Sequence, residues 1–141
     1  MKITTRDFGE IEAVEKDIIR FKESIFGFED YEDFIMLFDE EVGNSFGWLQ
    51  SVQDPQVCFL TANPALLNFE YKPDVPSDVL KKIGGTADEV WLIMVAAENM
   101  ENSTVNLKSP IVINSATGEA AQVILEDEFP VKHRIFGKES A

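Results

Sequence analysis

Apolar residues in this chain come in short blocks, each closed by residues that turn the backbone. The longest uninterrupted block, residues 90–97, has eight residues, against the ~20 needed for a membrane-spanning helix. Blocks this short, bounded by glycine, proline, asparagine or aspartate, build strands rather than long helices. Residues 10–14 begin as polar/apolar alternation and predict a half-buried strand, with residues 18–21 as its return partner beyond Glu15-Lys16-Asp17. Residues 34–38 are five consecutive apolar residues with phenylalanine at both ends, the pattern of a buried strand. Residues 46–52 and 57–63 flank Gln53-Asp54-Pro55-Gln56, where Pro55, with φ already near about −65°, suits the second position of a turn. Leu67, Phe69 and Tyr71 alternate with Asn68, Glu70 and Lys72, another strand signature. Residues 90–97 predict a strand rich in β-branched and aromatic side chains. Residues 111–114 and 122–125 bracket Ser115-Ala116-Thr117-Gly118, a hairpin turn in which Gly118 takes a positive φ.

One segment reads as a helix. Ser77 is its candidate cap, and Asp78 suits the first turn. Lys81 and Lys82 suit the last turn, and Gly84 ends it. Val79, Leu80 and Ile83 supply the apolar face, with Pro73 and Pro76 at the approach. About eight to ten short strands with a single helix predict a mainly β fold. The expectation is a small antiparallel β-barrel-like single domain with one short helix, because closure removes exposed strand edges. At 141 residues one domain spans 1–136, and residues 137–141 form a frayed C-terminal tail.

Charge and a shortage of reactive groups exclude many functions. Asp and Glu number 26 against 12 Lys and Arg, for a net charge of -14. Such a surface repels phosphate backbones and anionic membranes, so neither direct nucleic-acid binding nor membrane binding is expected. The first ten residues lack the apolar stretch of a signal peptide. The one cysteine, Cys58, cannot make an intrachain disulfide, which fits a reducing compartment. It lies in Val57-Cys58-Phe59-Leu60 with no cation nearby in sequence, the setting of a buried structural thiol. The one histidine, His133, sits between Lys132 and Arg134, a surface or edge position. Residues 83–86 lack the lysine of a phosphate loop, and the acidic stretch lacks calcium-loop spacing. No catalytic residue, metal or cofactor is expected.

A binding module for a basic or amphipathic partner is what these exclusions leave. Between residues 23 and 41 there are eight acidic side chains and no basic one. Glu29, Asp30, Glu32 and Asp33 are the candidate contacts for a basic partner. Phe34, Phe38, Phe46 and Phe59 are expected in the core. Trp48, Trp91, Phe69 and Tyr71 are harder to place, because tyrosine and tryptophan favour binding surfaces. Phe69 and Tyr71, on one face of a strand, are the candidate contacts for an apolar partner, unless that face packs inward. A small-ligand-binding β-barrel is the competing reading.

Five stretches together carry a resemblance. In order they are Phe26-Gly27-Phe28-Glu29-Asp30-Tyr31, Trp48-Leu49-Gln50-Ser51-Val52-Gln53-Asp54-Pro55 leading into Phe59-Leu60-Thr61-Ala62-Asn63-Pro64, Asn106-Leu107-Lys108-Ser109-Pro110-Ile111-Val112-Ile113-Asn114, Gln122-Val123-Ile124-Leu125, and Phe129-Pro130-Val131-Lys132-His133. The ordered set resembles the flagellar assembly factor FliW family. Phe129 stands where the family often has tyrosine, and Ser109 where it often has alanine. The resemblance implies a cytoplasmic, non-enzymatic bacterial protein with a compact FliW-like β-barrel domain, here monomeric and without cofactor. It further implies two partners: unassembled flagellin, and the carbon storage regulator CsrA, a small RNA-binding repressor of flagellin translation. By exchanging the two, such a factor couples flagellin synthesis to export.

Overall fold

Seven strands close on themselves into a barrel, and an odd number of strands cannot alternate direction all the way round. The structure, a computed structural model, describes residues 1–67 and 69–135; the tail expected over 137–141 lies outside them. Its strands are β1 (Lys2–Thr4), β2 (Glu10–Glu12), β3 (Ile19–Glu23), β4 (Asp33–Asp39), β5 (Gly43–Ser51), β6 (Cys58–Ala62), β7 (Glu89–Val95), β8 (Thr104–Val105), β9 (Ile111–Asn114), β10 (Glu119–Gln122) and β11 (His133–Arg134). The ring runs β7-β6-β5-β4-β3-β10-β9 and closes through β9 onto β7, with Val90 opposite Val112. Six of its junctions are antiparallel. The seventh, β10 on β3, is parallel and carries a bulge between Ala120 and Ala121. The expected barrel is therefore present, and the parity of seven puts one parallel seam in it.

Side chains alternate across the barrel wall, and both faces are largely covered. Inside pack Phe21, Phe34, Leu49, Trp91, Ile111 and Ile113. Phe34 and Leu49 are fully buried, each stabilising the fold by about 1.5–3 kcal/mol. Outside, three covers sit on the wall. The β1–β2 hairpin lays Ile3 and Ala13 on Ile35 of β4. Helix α1 (Ser77–Lys82) and Ile83 after it cover Val112, Ala121 and Val123. Leu67, Leu107 and Ile135 cover Ala62, Leu92 and Met94. Coverage on both faces explains why residues 34–38 and 90–97 read as continuous apolar blocks rather than alternating ones.

Several local expectations hold. Val57 N donates to Asp54 O at 3.1 Å across Pro55, and Gly118 has φ 72°. Others are corrected. Residues 18–21 do not return against 10–14. Strand β2 pairs with β1 across a turn where Gly9 has φ 68° and the Thr5 hydroxyl donates to its carbonyl at 2.6 Å, and a 3-10 turn over Glu15–Asp17 sends the chain on to β3. Among the described residues, Leu67 and residues 69–72 lie in no strand. Asn63 accepts a hydrogen bond from Ala65 N to cap a 3-10 turn over Pro64–Leu66, and the chain then runs irregularly to the helix. Ser77 is not the cap: Pro76 holds that position in extended geometry, and its carbonyl receives Val79 N and Leu80 N. The strand expected over 122–125 is β10, three residues earlier, because it begins directly after Gly118. Phe38, expected in the core, is 45% exposed at the barrel mouth, its ring 5.7 Å from Trp91.

Candidate functional site

The acidic run spans the turn between β3 and β4, the whole of β4 and the turn into β5, and its four candidate residues lie in the first turn and at the start of β4. Phe28 points inward, edge-on to Phe59 at 4.9 Å, and Tyr31 packs on the same core cluster. These two rings fasten the turn to the barrel. Glu29, Asp30 and Glu32 are left exposed around it. The Tyr31 hydroxyl donates to Asp54 at 3.3 Å, and the Asp54 carboxylate, with some burial, raises that phenol's pKa. Asp33 differs from its neighbours: it is half-buried and paired with Arg20 at 3.2 Å across the β3–β4 ladder. Glu23 is likewise engaged, by Lys82. Of the four acidic candidates, the turn displays three, and the fourth is tied into the sheet. Phe26, 78% exposed, stands on the same turn and was not singled out as a contact by sequence reasoning.

The acidic character extends well beyond the turn. No lysine or arginine occurs between Lys22 and Lys72, while ten acidic residues do. Strands β4, β5 and β6 lie wholly inside that interval. Three adjacent strands of the barrel therefore carry no positive side chain of their own.

Phe69 and Tyr71 do not share a face. Phe69 is 41% exposed, with its ring 5.5 Å from His133. Tyr71 is half-buried, packed on Phe129 at 5.1 Å, and its hydroxyl donates to Leu107 O at 2.6 Å. Of the two tryptophans, Trp91 is buried, and its indole N–H donates to Glu89 at 3.2 Å. Trp48 is half-buried, with Phe8 edge-on at 5.3 Å. On the outer wall, Trp48 joins Val42, Phe46, Leu60 and Met94 around an apolar groove of about 190 Å³. Sequence reasoning flagged Trp48 alone; the groove draws on β5, β6, β7 and the turn before β5, which no local pattern connects.

Among the described residues, no group of His, Cys, Asp and Glu is placed to hold a metal ion. Cys58 is buried, and burial pushes its thiol pKa up, against the opposing pull of the Arg6 guanidinium. No helix among the described residues is long and apolar enough to cross a membrane. The barrel interior, where a β-barrel would carry a small ligand, is filled by its own side chains. A cleft of about 530 Å³ beside Lys16, Arg20 and Glu119 is polar and lies outside the barrel.

Comparison with known proteins gives one consistent answer. A family model described as FliW protein matches residues 2–135. The flagellar assembly factor FliW of Syntrophus aciditrophicus is 40% identical, the match covering 96% of this chain and 87% of that protein. The factor of the same name from Caldanaerobacter subterraneus subsp. tengcongensis is 35% identical, covering 96% and 93%. A crystal structure of the flagellar assembly factor FliW superposes with a TM-score of 0.89 at 34% identity, over 99% of both chains. With a match over nearly its whole length in sequence and in fold, this chain belongs to the FliW family of flagellar assembly factors.

Proposed function

We propose that this protein is a cytoplasmic, non-enzymatic, monomeric factor that binds unassembled flagellin and, when relieved of it, captures the CsrA translational regulator. The observation that carries the reading, beside family membership, is the acidic turn. Glu29, Asp30 and Glu32 project from a turn whose Phe28 and Tyr31 are packed against the barrel, so the carboxylates are displayed on a firm base. A regulator that holds RNA must present a basic surface, and oppositely charged patches steer association. Asp33 serves this surface indirectly, by holding Arg20 and the start of β4. Of the two aromatic candidates Phe69 is the exposed one, available to the flagellin client, while Tyr71 positions the segment that presents it.

The test is a three-component titration with purified flagellin monomer, purified regulator and a labelled regulator-bound RNA. The expected result is binding of each protein partner, release of RNA on addition of this factor, and return of RNA binding when flagellin is added. Failure of the factor to bind either protein, or RNA release untouched by flagellin, overturns the reading.

A further inference from the structure

The outer-wall groove lies apart from the acidic turn, and the reading above does not use it. Val42 is 48% exposed at its edge, Phe46, Trp48 and Leu60 are half-buried, and Met94 forms the buried floor. We propose that this groove is a docking site for an amphipathic helix of a partner protein, one whose apolar stripe is flanked by lysine or arginine. The proposal goes beyond the function proposed above, and it depends on neither flagellin nor the regulator.

Three features select this occupant. First, β5 and β6 are interior strands of the closed ring, each paired on both sides. A partner strand would need a long unpaired edge there, so recognition falls to side chains, which a helix presents in a stripe. Second, the groove is bordered by negative charge. Glu40 and Glu41 immediately precede Val42 in an exposed turn, where Val42 N donates to Asp39 O at 3.0 Å. Arg6, two residues before the Phe8 whose ring lies on Trp48, is paired with Asp7 at 2.9 Å. Third, a second copy of this chain is a poor occupant. It would bring the same acidic border and a net charge of -14 against its like, whereas a basic-flanked helix gains where a second copy is repelled.

Two designed helical peptides of about 18 residues test this, with the same leucine stripe and either lysine or glutamate flanks. Binding is read by intrinsic fluorescence and calorimetry, because Trp48 lines the groove while Trp91 is buried elsewhere. At low salt the lysine peptide should bind at least tenfold more tightly than the glutamate peptide and shift emission to the blue. Trp48→Phe should remove the shift. Val42→Lys, a change at an exposed turn residue, should weaken the lysine peptide at least tenfold, and Val42→Asn, which adds no charge, at least threefold. Glu40→Gln with Glu41→Gln should shrink the preference between the peptides. Equal binding of both peptides, or affinity unchanged in folded Val42→Lys and Val42→Asn proteins, overturns the proposal. So does concentration-dependent self-association that Val42→Lys abolishes, since the groove would then be a self-interface.

Discussion

The hydroxyl of Tyr71 donates a 2.6 Å hydrogen bond to the carbonyl of Leu107, 36 residues away. Leu107 is buried, and its own N–H donates to Pro130 O. Tyr71 thus fastens the irregular stretch before the helix to the segment that covers the outer face of β6 and β7. Tyr71→Phe removes the bond and keeps the ring, so equilibrium urea unfolding should show a loss of about 1 kcal/mol. Tyr71→Ala also loses the packing on Phe129 and should cost about 3–5 kcal/mol.

Alkaline pH should act through the same group. Burial raises the Tyr71 pKa well above the ordinary value of 10.0. The protonated phenol is favoured in the folded state, so its contribution is fully present below pH 10.0 and is lost as pH rises beyond it toward the higher folded value. Thermal melts from pH 8 to 12 should show the wild-type protein losing stability above about pH 10 more steeply than Tyr71→Phe. Parallel curves would show that Tyr71 does not drive the loss.

Gly47 is required by a neighbour rather than by its backbone angles. A Cβ there would lie 2.5 Å from Met36 Sδ and 3.2 Å from Thr61 Oγ1, and the Thr61 hydroxyl donates to Gly47 O at 2.9 Å. Gly47→Ala should therefore destabilise by about 1–3 kcal/mol through overpacking. In a Met36→Ala background the same substitution should cost distinctly less, a coupling that a double-mutant cycle measures.

Charge reversal separates the displayed carboxylates from the engaged one. Glu29→Lys with Glu32→Lys should leave the melting temperature nearly unchanged and slow association with the regulator about tenfold at low salt, an effect that fades as salt screens it. Asp33→Lys should lower the melting temperature, because it sets a lysine against Arg20 across the β3–β4 ladder. Stopped-flow association at two ionic strengths, with calorimetric melts, checks both statements.

Cys58 should be slow to react. It is buried, and its thiol pKa is raised chiefly by that burial, so little thiolate is present near neutral pH. A thiol reagent should label the native protein far more slowly than the same chain in denaturant. Rapid native labelling at pH 7 would contradict its buried placement.

What was legible in the sequence lay within a few residues of itself. Pro55 turns the chain because its φ is preset, Gly118 because the turn needs a positive φ, and residues 77–82 are helical with lysines in the last turn. The acidic run was visible too, and so was the buried setting of Cys58. Contacts between distant segments decided the rest. Leu67, Phe69 and Tyr71 alternate as a strand would, yet Tyr71 finds its acceptor on Leu107 rather than in a ladder. Residues 18–21 suit pairing with 10–14 as well as with 33–34, and β1 takes the first position. The parallel β3–β10 seam follows from the ring holding seven strands, a number no local pattern contains. The same holds for the surfaces: sequence shows which residues are acidic, but Arg20 and Lys82 determine which carboxylates are engaged, and the groove exists only because Val42, Phe46, Trp48, Leu60 and Met94 meet across neighbouring strands. Local propensity leaves such alternatives close in energy, and burial of side chains far apart in the chain selects among them.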